Sequence, residues 1–465
     1  MDAEDIFSVE FSSEKLLEIY HTHIAQTSAI GIDRLGKKQF EHQLGQQITV
    51  LAQKADSSTY RFSQYREKLI SKGAKKLPRV ISIPTFRDRV ALRALCNVLH
   101  TTFDSDLSLK IPQVVIHDVK NAIRTGEFAY FAKLDIQEFY PSVHHDLLLT
   151  RLQTKVDDDR LLKLVTAAIE SPTVPFPNKE AAPNKIGVPQ GLAVSNILAE
   201  IYLAPFDQNY TAKHDIRYFR YVDDILVLSK EETSSLVEEM RKRLHDELHL
   251  SAHPLEPGGT KTVCGPITDT FNFLGYEFRN QRCLAKVESV KRLEDSLADI
   301  FTTYKYKVSH IQSQSLDNIS RQSKLKVARN ILMWRLNLRV TGCLFEGARK
   351  GWVFYFSQID EDHLEQLWRL DRTVENLMQR FALPKDCQAK SFVRTFYETK
   401  RRNPTATSYI PNFDTTSTAQ QRVILSSYFG LAHLDDWTDA EIQSEFSKRI
   451  RRATKELELD IQDIS

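Results

Sequence analysis

The stretch Tyr218-Phe-Arg-Tyr-Val-Asp-Asp-Ile-Leu-Val-Leu228 constrains this chain more than any other. It is rich in β-branched and aromatic residues, and so reads as strand. Two adjacent carboxylates, Asp223 and Asp224, stand inside it. Burying carboxylates in a hydrophobic sheet is costly unless they are solvated at a turn or neutralised by cations. A β-hairpin turn would accept Asp, but such turns usually place Gly or Asn beside it, and here Val222 and Ile225 flank the pair.

A second acidic position sharpens the reading. Asp135 closes the apolar run Phe131-Ala-Lys-Leu-Asp135 and is followed by Ile-Gln-Glu-Phe-Tyr-Pro-Ser. Carboxylates at strand ends from separate parts of a chain suit two Mg²⁺ ions, one activating an attacking hydroxyl and the other stabilising the leaving oxygen of a phosphoryl transfer. Magnesium needs few protein carboxylates, because substrate phosphates and water complete its octahedron. A third element, Gly187-Val-Pro-Gln190-Gly191-Leu-Ala-Val-Ser-Asn196, is a turn feeding a helix, where backbone N–H groups suit close approach of a nucleotide.

Composition agrees with a soluble globular protein. The 465 residues allow two to four domains, and 42% hydrophobic with 27% charged residues excludes a disordered or fibrous chain. Lys+Arg 63 against Asp+Glu 61 leaves a net charge of +2, so any nucleic-acid binding must rest on local patches. Residues 61–93 hold ten Lys/Arg against two acids, and residues 281–352 hold fourteen against six, net +8 in each. Two such patches flanking carboxylates resemble the walls of a polyanion channel. Cys96, Cys264, Cys283, Cys343 and Cys387 form no C-x-x-C pair, which argues against a zinc ribbon and a disulfide framework. The acidic start MDAEDIFSVEF lacks a signal-peptide pattern, and no run of eighteen apolar residues occurs. A cytoplasmic location without membrane contact is expected.

Helical periodicity is expected near Leu16–Ile24, with Ser12 or Ser13 as N-cap, and over 37–55, 146–170, 190–206 and 231–249. Strands are expected at 128–135, 218–228 and 271–278, and an almost wholly helical region after 284. The fold class is therefore α+β.

In order, KLDIQEFYPSVHHDL, GVPQGLAVSNILAEIYL and RYVDDILVL closely resemble the palm of a reverse transcriptase. Outlying blocks agree: Gly31-Ile-Asp33 resembles the N-terminal G-x-D block, and Leu77-Pro-Arg-Val-Ile-Ser-Ile-Pro84 with Arg87-Asp-Arg89 resembles the fingers block. Lys261-Thr262 resembles the lysine segment, and Phe273-Leu-Gly-Tyr276 the primer-grip hairpin. The resemblance spans about residues 31–280 and is to the bacterial branch. It is most like the defence-associated (abortive-infection-like or unknown-group) enzymes, with retron reverse transcriptases as the neighbouring family. Val340-Thr341-Gly342 matches a retron element, whereas the retron N-A-x-x-H is absent: Asn121-Ala122 is followed by Thr125 where His would stand. The tail, with Lys390–Arg394, Tyr409–Asp414 and Lys448–Arg452, exceeds a minimal retron enzyme.

The resemblance implies a right-hand polymerase: an N-terminal helical segment (1–30), fingers (31–125), a palm with an antiparallel sheet (126–283, with 166–200 partly fingers), a helical thumb (284–385) and a C-terminal helical extension (386–465). It implies Asp135, Asp223 and Asp224 as catalytic, metal-binding carboxylates for two Mg²⁺, with Mn²⁺ as substitute. Because neighbouring strand residues face opposite ways, Asp224 is the weakest of the three as a direct ligand. Gln190 and Gly191 would meet the incoming nucleotide, Arg79 its triphosphate with Lys68 or Lys72 as helpers, and Lys261 the pyrophosphate. Tyr140 would be the steric gate that favours dNTPs over ribonucleotides. Arg87, Arg89, Tyr221, Gly275, Tyr276, Arg335, Arg339, Thr341, Arg349 and Lys350 would contact nucleic acid. Implied partners are a non-coding RNA template, the DNA product, and either a second copy or another protein of a defence locus. Alternatives left open are retron-type RNA-linked DNA, untemplated or protein-primed synthesis, and a catalytically inactive RNA-binding scaffold.

Overall fold

The computed structural model describes residues 2–25, 27, 29–71, 77–107, 110–256, 258–401 and 409–462. The chain divides into two compact units, residues 1–111 with 125–266, and residues 112–124 with 267–465.

The first unit holds strands β1 (Tyr65–Ile70), β2 (Arg79–Ile83), β3 (Tyr130–Asp135), β4 (Thr173–Val174), β5 (Ile216–Tyr221), β6 (Asp224–Ser229) and β7 (Val263–Pro266). Four of them form an antiparallel sheet in the order β5-β6-β3-β7. Ile225, Leu226, Val227 and Leu228 of central β6 are buried without alternation, as expected of a strand covered on both faces. The second sheet, β2-β1-β4, carries the basic segment recognised in the sequence. The helix Phe86–Phe103 is buried along most of its length in the same core.

Element boundaries differ from the periodicity in instructive ways. Ser12 is the N-cap, its hydroxyl accepting from the Lys15 N–H. The stretch 146–170 is two helices, His145–Leu152 and Asp159–Glu170. Asp158 caps the second through the Arg160 N–H. Stretch 218–228 is a hairpin, its strands joined at Val222-Asp223. A further helix of this core runs Ser195–Thr211 and begins just after the Pro-Gln-Gly turn.

In the second unit, β8 (Phe271–Phe273), β9 (Tyr276–Arg279) and β10 (Arg282–Ala285) form an antiparallel meander, followed by the long helices Val287–Ser313 and Asn318–Thr341. The expectation of an almost wholly helical region fails locally, because a hairpin, β11 (Cys343–Phe345) and β12 (Ala348–Lys350), follows directly. The Val340-Thr341-Gly342 element is its joint. Thr341 is fully buried with its hydroxyl on the Asn337 carbonyl, and a Cβ on Gly342 would collide with the Lys350 carbonyl. The helix Pro112–Arg124, placed with the fingers from sequence, belongs to this second unit: Lys120 and Arg124 both pair with Asp360, at 3.0 and 2.8 Å. Among the described residues no helix is long and apolar enough to cross a membrane.

Gly31 explains its motif sterically. A Cβ there would lie 2.7 Å from the Thr85 Cα, against backbone that cannot swing aside. Gly31→Ala is expected to cost about 1–3 kcal/mol through overpacking, read as a lower urea midpoint, whereas an unchanged midpoint would contradict the close approach.

Candidate active site

The site grows from the register of the four-stranded sheet. Asp135, the last residue of β3, pairs directly with Asp224, the first of β6. Residues directly opposite share a face, so Asp224, just after the turn, stands across from Asp135. The Asp223 carbonyl accepts from the Ile136 N–H at 3.1 Å, which extends the pairing past the strand end. The turn residue Val222 has φ +55°. Positive φ at the first position of a two-residue hairpin turn normally calls for glycine, and a β-branched residue there stores about 1–3 kcal/mol of strain. The turn is held open at that cost, with Asp223 at its tip.

Three carboxylates are thereby crowded together. Burial pushes Asp223 up to about 6, and the Asp224 and Asp135 charges add to the rise while Lys261 opposes it. Burial also raises Asp224, against the pull of Lys133. The Lys133 ammonium lies 3.4 Å from Asp224 Oδ1, yet no hydrogen-bond donor among the described residues is aligned on that buried oxygen. Asp135 is held by two groups: Lys261 Nζ is 2.5 Å from Oδ2, and His253 Nε2 is 3.4 Å from Oδ1. Gln137 in turn bonds His253 Nδ1 at 3.2 Å.

Among the described residues no three His, Cys, Asp or Glu side chains are gathered into a ready metal cage. The donor set nonetheless fits Mg²⁺: hard carboxylate oxygens, one of them unbonded, whose mutual repulsion a divalent cation would relieve. Asp135 and Asp223 would be the first residues to hold such an ion, with Asp224 beside them.

The residues expected to face a nucleotide are placed as follows. The Gln190 carbonyl accepts from the Ser82 N–H of β2 at 2.7 Å, and Gly191, at φ +98°, packs so closely that a Cβ would meet Ile81 Cγ2 at 2.7 Å. Tyr140 is half-buried, its hydroxyl 3.4 Å from Asn196 Oδ1. Burial, with Glu200, Asp223 and Tyr221 nearby, pushes its phenol up to about 12, so it stays neutral. Arg79 and Lys68 lie exposed on β2 and β1, and Arg79 is near enough to Tyr140 to oppose that rise. Lys72 lies outside the described residues. Tyr221, the last residue of β5, is partly exposed beside the turn. A cavity of about 490 Å³ opens behind Gly191, lined by His23, Ser82, Arg89 and Arg93 among others.

Several expected nucleic-acid contacts turn inward instead. Arg89 is buried, donating to Thr27 Oγ1 and the Ala29 carbonyl, because the N-terminal segment needs its carbonyls satisfied. Arg87 reaches Gln47 and lies over the Tyr60 ring. In the second unit Tyr276 is buried with its hydroxyl on the Tyr355 carbonyl, and the Gly275 carbonyl accepts from the Tyr355 hydroxyl. Arg339 is buried near the Glu456 carbonyl, and Thr341 is closed in its joint. Arg335 pairs with Glu456 at 3.5 Å, Arg349 is exposed beside Phe354, and Lys350 is partly exposed.

Sequence reading missed the groups that hold the site. Lys133 was visible as a lone cation in an apolar strand. His253 and Asn196 had no local signal. Arg220 was hidden in the strand before the paired aspartates, yet its guanidinium binds both Glu200 and Asp207.

A family described as "Reverse transcriptase (RNA-dependent DNA polymerase)" matches residues 70–278, a span that contains Arg79, Asp135, Tyr140, Gln190, Asp223, Asp224 and Lys261. The chain is 26% identical over 298 residues to Protein YkfC of Escherichia coli (strain K12), covering 54% of this chain and 76% of that protein. It is 23% identical over 217 residues to the group II intron-encoded protein LtrA of Lactococcus lactis subsp. cremoris, covering 45% of this chain and 34% of that protein. A structure of telomerase from Candida albicans with a TWJ fragment of telomeric RNA aligns with 90% of this chain and 69% of that one, at 12% identity and TM-score 0.40.

The Lys261 contact yields a test independent of turnover. Its ammonium occupies the oxygen that a divalent cation would use, so Lys261→Met should bind Mn²⁺ about 3–10-fold more tightly in the free protein, a gain of up to about 1.4 kcal/mol. Isothermal titration reads the change, and weaker binding would show that Lys261 orients Asp135 and does not compete for it.

Proposed function

We propose that this protein, whose residues 70–278 match the reverse transcriptase family, is an RNA-directed DNA polymerase that copies an associated non-coding RNA into DNA in bacterial antiphage defence. The observation that carries the polymerase reading is the Tyr221-Val-Asp-Asp turn set directly against Asp135 in one sheet. A scaffold that only bound RNA would gain nothing from three carboxylates crowded at a cost in mutual repulsion.

In the reaction the primer 3′-hydroxyl oxygen forms a bond to the dNTP α-phosphorus. The bond from that phosphorus to the bridging oxygen of pyrophosphate breaks, and the hydroxyl proton is released. Asp135 and Asp223, supported by Asp224, would hold the ions, and bound Mg²⁺ would supply charge neutralisation and a more acidic hydroxyl. Arg79, with its forked donors, grips the triphosphate from the exposed start of β2, assisted by Lys68. Lys261 leaves Asp135 to donate a proton to the departing pyrophosphate. Gln190 and Gly191 form the floor under the base pair, strapped to β2 through Ser82. Tyr140, neutral and steadied by Asn196, fills the space that a ribose 2′-hydroxyl would need.

The basic helices of the second unit would serve as thumb and grip duplex backbone by phosphate contacts. The segment beyond 386 would be the family-specific extension. The defence assignment rests on resemblance of the bacterial branch. The retron alternative leans on Val340-Thr341-Gly342, whose side chains are used in a helix-to-hairpin joint, and it is the second choice for that reason. The cytoplasm is the proposed compartment.

Asp223→Asn should leave RNA affinity within about twofold while lowering dNTP incorporation by at least about 100-fold, and it should abolish protection in a phage plating assay with the complete locus. Protection that survives Asp223→Asn would return the scaffold reading. Tyr140→Val should raise ribonucleotide incorporation relative to dNTP by about 10–100-fold, measured as a ratio of kcat/KM, and an unchanged ratio would reassign Tyr140 to packing.

A further inference from the structure

Arg220 is the most heavily bonded side chain beside the site. Its side chain is 6% exposed, and all five N–H donors are engaged. Nε donates to Asp207 Oδ1 at 2.8 Å. Nη2 donates to Glu200 Oε2 at 2.6 Å and to Asp207 Oδ2 at 2.5 Å. Nη1 donates to Glu200 Oε1 at 3.2 Å and to the Val222 carbonyl at 2.9 Å. The Tyr218 hydroxyl, two residues earlier on β5, donates to Asp207 Oδ1 at 2.7 Å and completes the cluster.

The last guanidinium contact is the informative one. Glu200 and Asp207 already outweigh one guanidinium in charge, so pairing β5 with the helix needs no further bond. The remaining donor goes instead to the backbone of the positive-φ turn residue whose neighbour is Asp223. The two carboxylates lie on Ser195–Thr211, the helix that starts after Gln190 and carries Asn196 against Tyr140. That helix is anchored at its start as well, since the Ser195 hydroxyl donates to the Pro189 carbonyl at 2.6 Å.

We infer that Arg220 is a positioning residue for DNA synthesis: it clamps the Val222 carbonyl to Glu200 and Asp207, and so holds the Asp223 carboxylate in register with Asp135 and with the nucleotide-binding loop. The inference rests on the polymerase reading above. A lysine cannot replace the clamp, because a single ammonium keeps the charge but cannot direct donors along the planar fork.

The test compares full-length wild type, Arg220→Lys, Arg220→Gln and Tyr218→Phe. It measures dNTP incorporation on an RNA template, melting temperature, and Mn²⁺ binding by electron paramagnetic resonance. Arg220→Lys should lower kcat by about 30–100-fold with dNTP KM within about threefold, the pattern of a displaced reacting group. It should also weaken Mn²⁺ binding about fivefold, read below its own melting temperature so that the protein is folded throughout. Arg220→Gln should show the same losses and melt earlier; if it does not fold, Arg220→Lys carries the comparison. Tyr218→Phe leaves the five guanidinium contacts in place and should keep wild-type kcat within about twofold. Arg220→Lys with kcat and Mn²⁺ affinity both within about twofold of wild type overturns the inference, whatever its melting temperature. Wild-type protein that incorporates no dNTP would sink the polymerase reading instead. The Mn²⁺ titration then decides alone, unchanged affinity in Arg220→Lys counting against the clamp and weakened affinity for it.

Discussion

Everything at this site depends on keeping like charges close. Asp135, Asp223 and Asp224 repel one another, and burial makes the repulsion stronger. The sheet imposes the crowding through backbone register, which side chains cannot relax: Asp135 faces Asp224 because β3 and β6 pair along six residues. Lysines at 133 and 261 balance the charge from two sides. A strained turn sets Asp223 at the tip, and buried Arg220 bonds that turn's carbonyl. Against that cost stands the apolar burial of β6 beneath the cluster, from Ile225 to Leu228.

The same logic accounts for the loop around Gln190. Backbone must approach backbone there, and glycine is the residue that permits it. Gly191 sits against Ile81 and Gly187 against Pro141, so the loop is pressed onto β2 on one side and onto the turn after Asp135 on the other. The Val188 N–H donates to the Tyr140 carbonyl and the Gly187 N–H to the Val143 carbonyl, both at 2.8 Å. Tyr140, Gln190 and Asp223 are therefore parts of one bonded framework within the first unit. The loop around Gln190 and the carboxylates would move together.

Much of this was legible in the sequence, for identifiable reasons. The strands around Asp135 and Asp223 announced themselves by β-branched runs, and the paired acids by their cost in such a setting. Asp135, Asp223, Gln190 and Tyr140 come together because ordered blocks on one sheet and its covering helix leave few other ways to place them. What stayed hidden was long-range and polar. Arg220 looks like any alternate residue of a strand until Glu200 and Asp207 are brought beside it by the helix. Arg89 looked like a phosphate ligand because its charge is visible in sequence, while its partners Thr27 and Ala29 are some sixty positions away. Tyr276 matched a motif letter, but its hydroxyl bonds Tyr355, far along the chain, whereas Thr341 turns its hydroxyl back onto the Asn337 carbonyl one helical turn away. The hairpin after Gly342 escaped because three-residue strands carry too little periodicity to stand out from flanking helix.

The central claim is that this carboxylate cluster makes DNA on an RNA that travels with the protein. The most direct measurement is to purify the protein with its accompanying nucleic acid, supply Mg²⁺ and labelled dNTPs, and sequence both the RNA and the labelled product. The account predicts a DNA complementary to one co-purified RNA species. A labelled DNA with no matching RNA, or no labelled product at all, would contradict it.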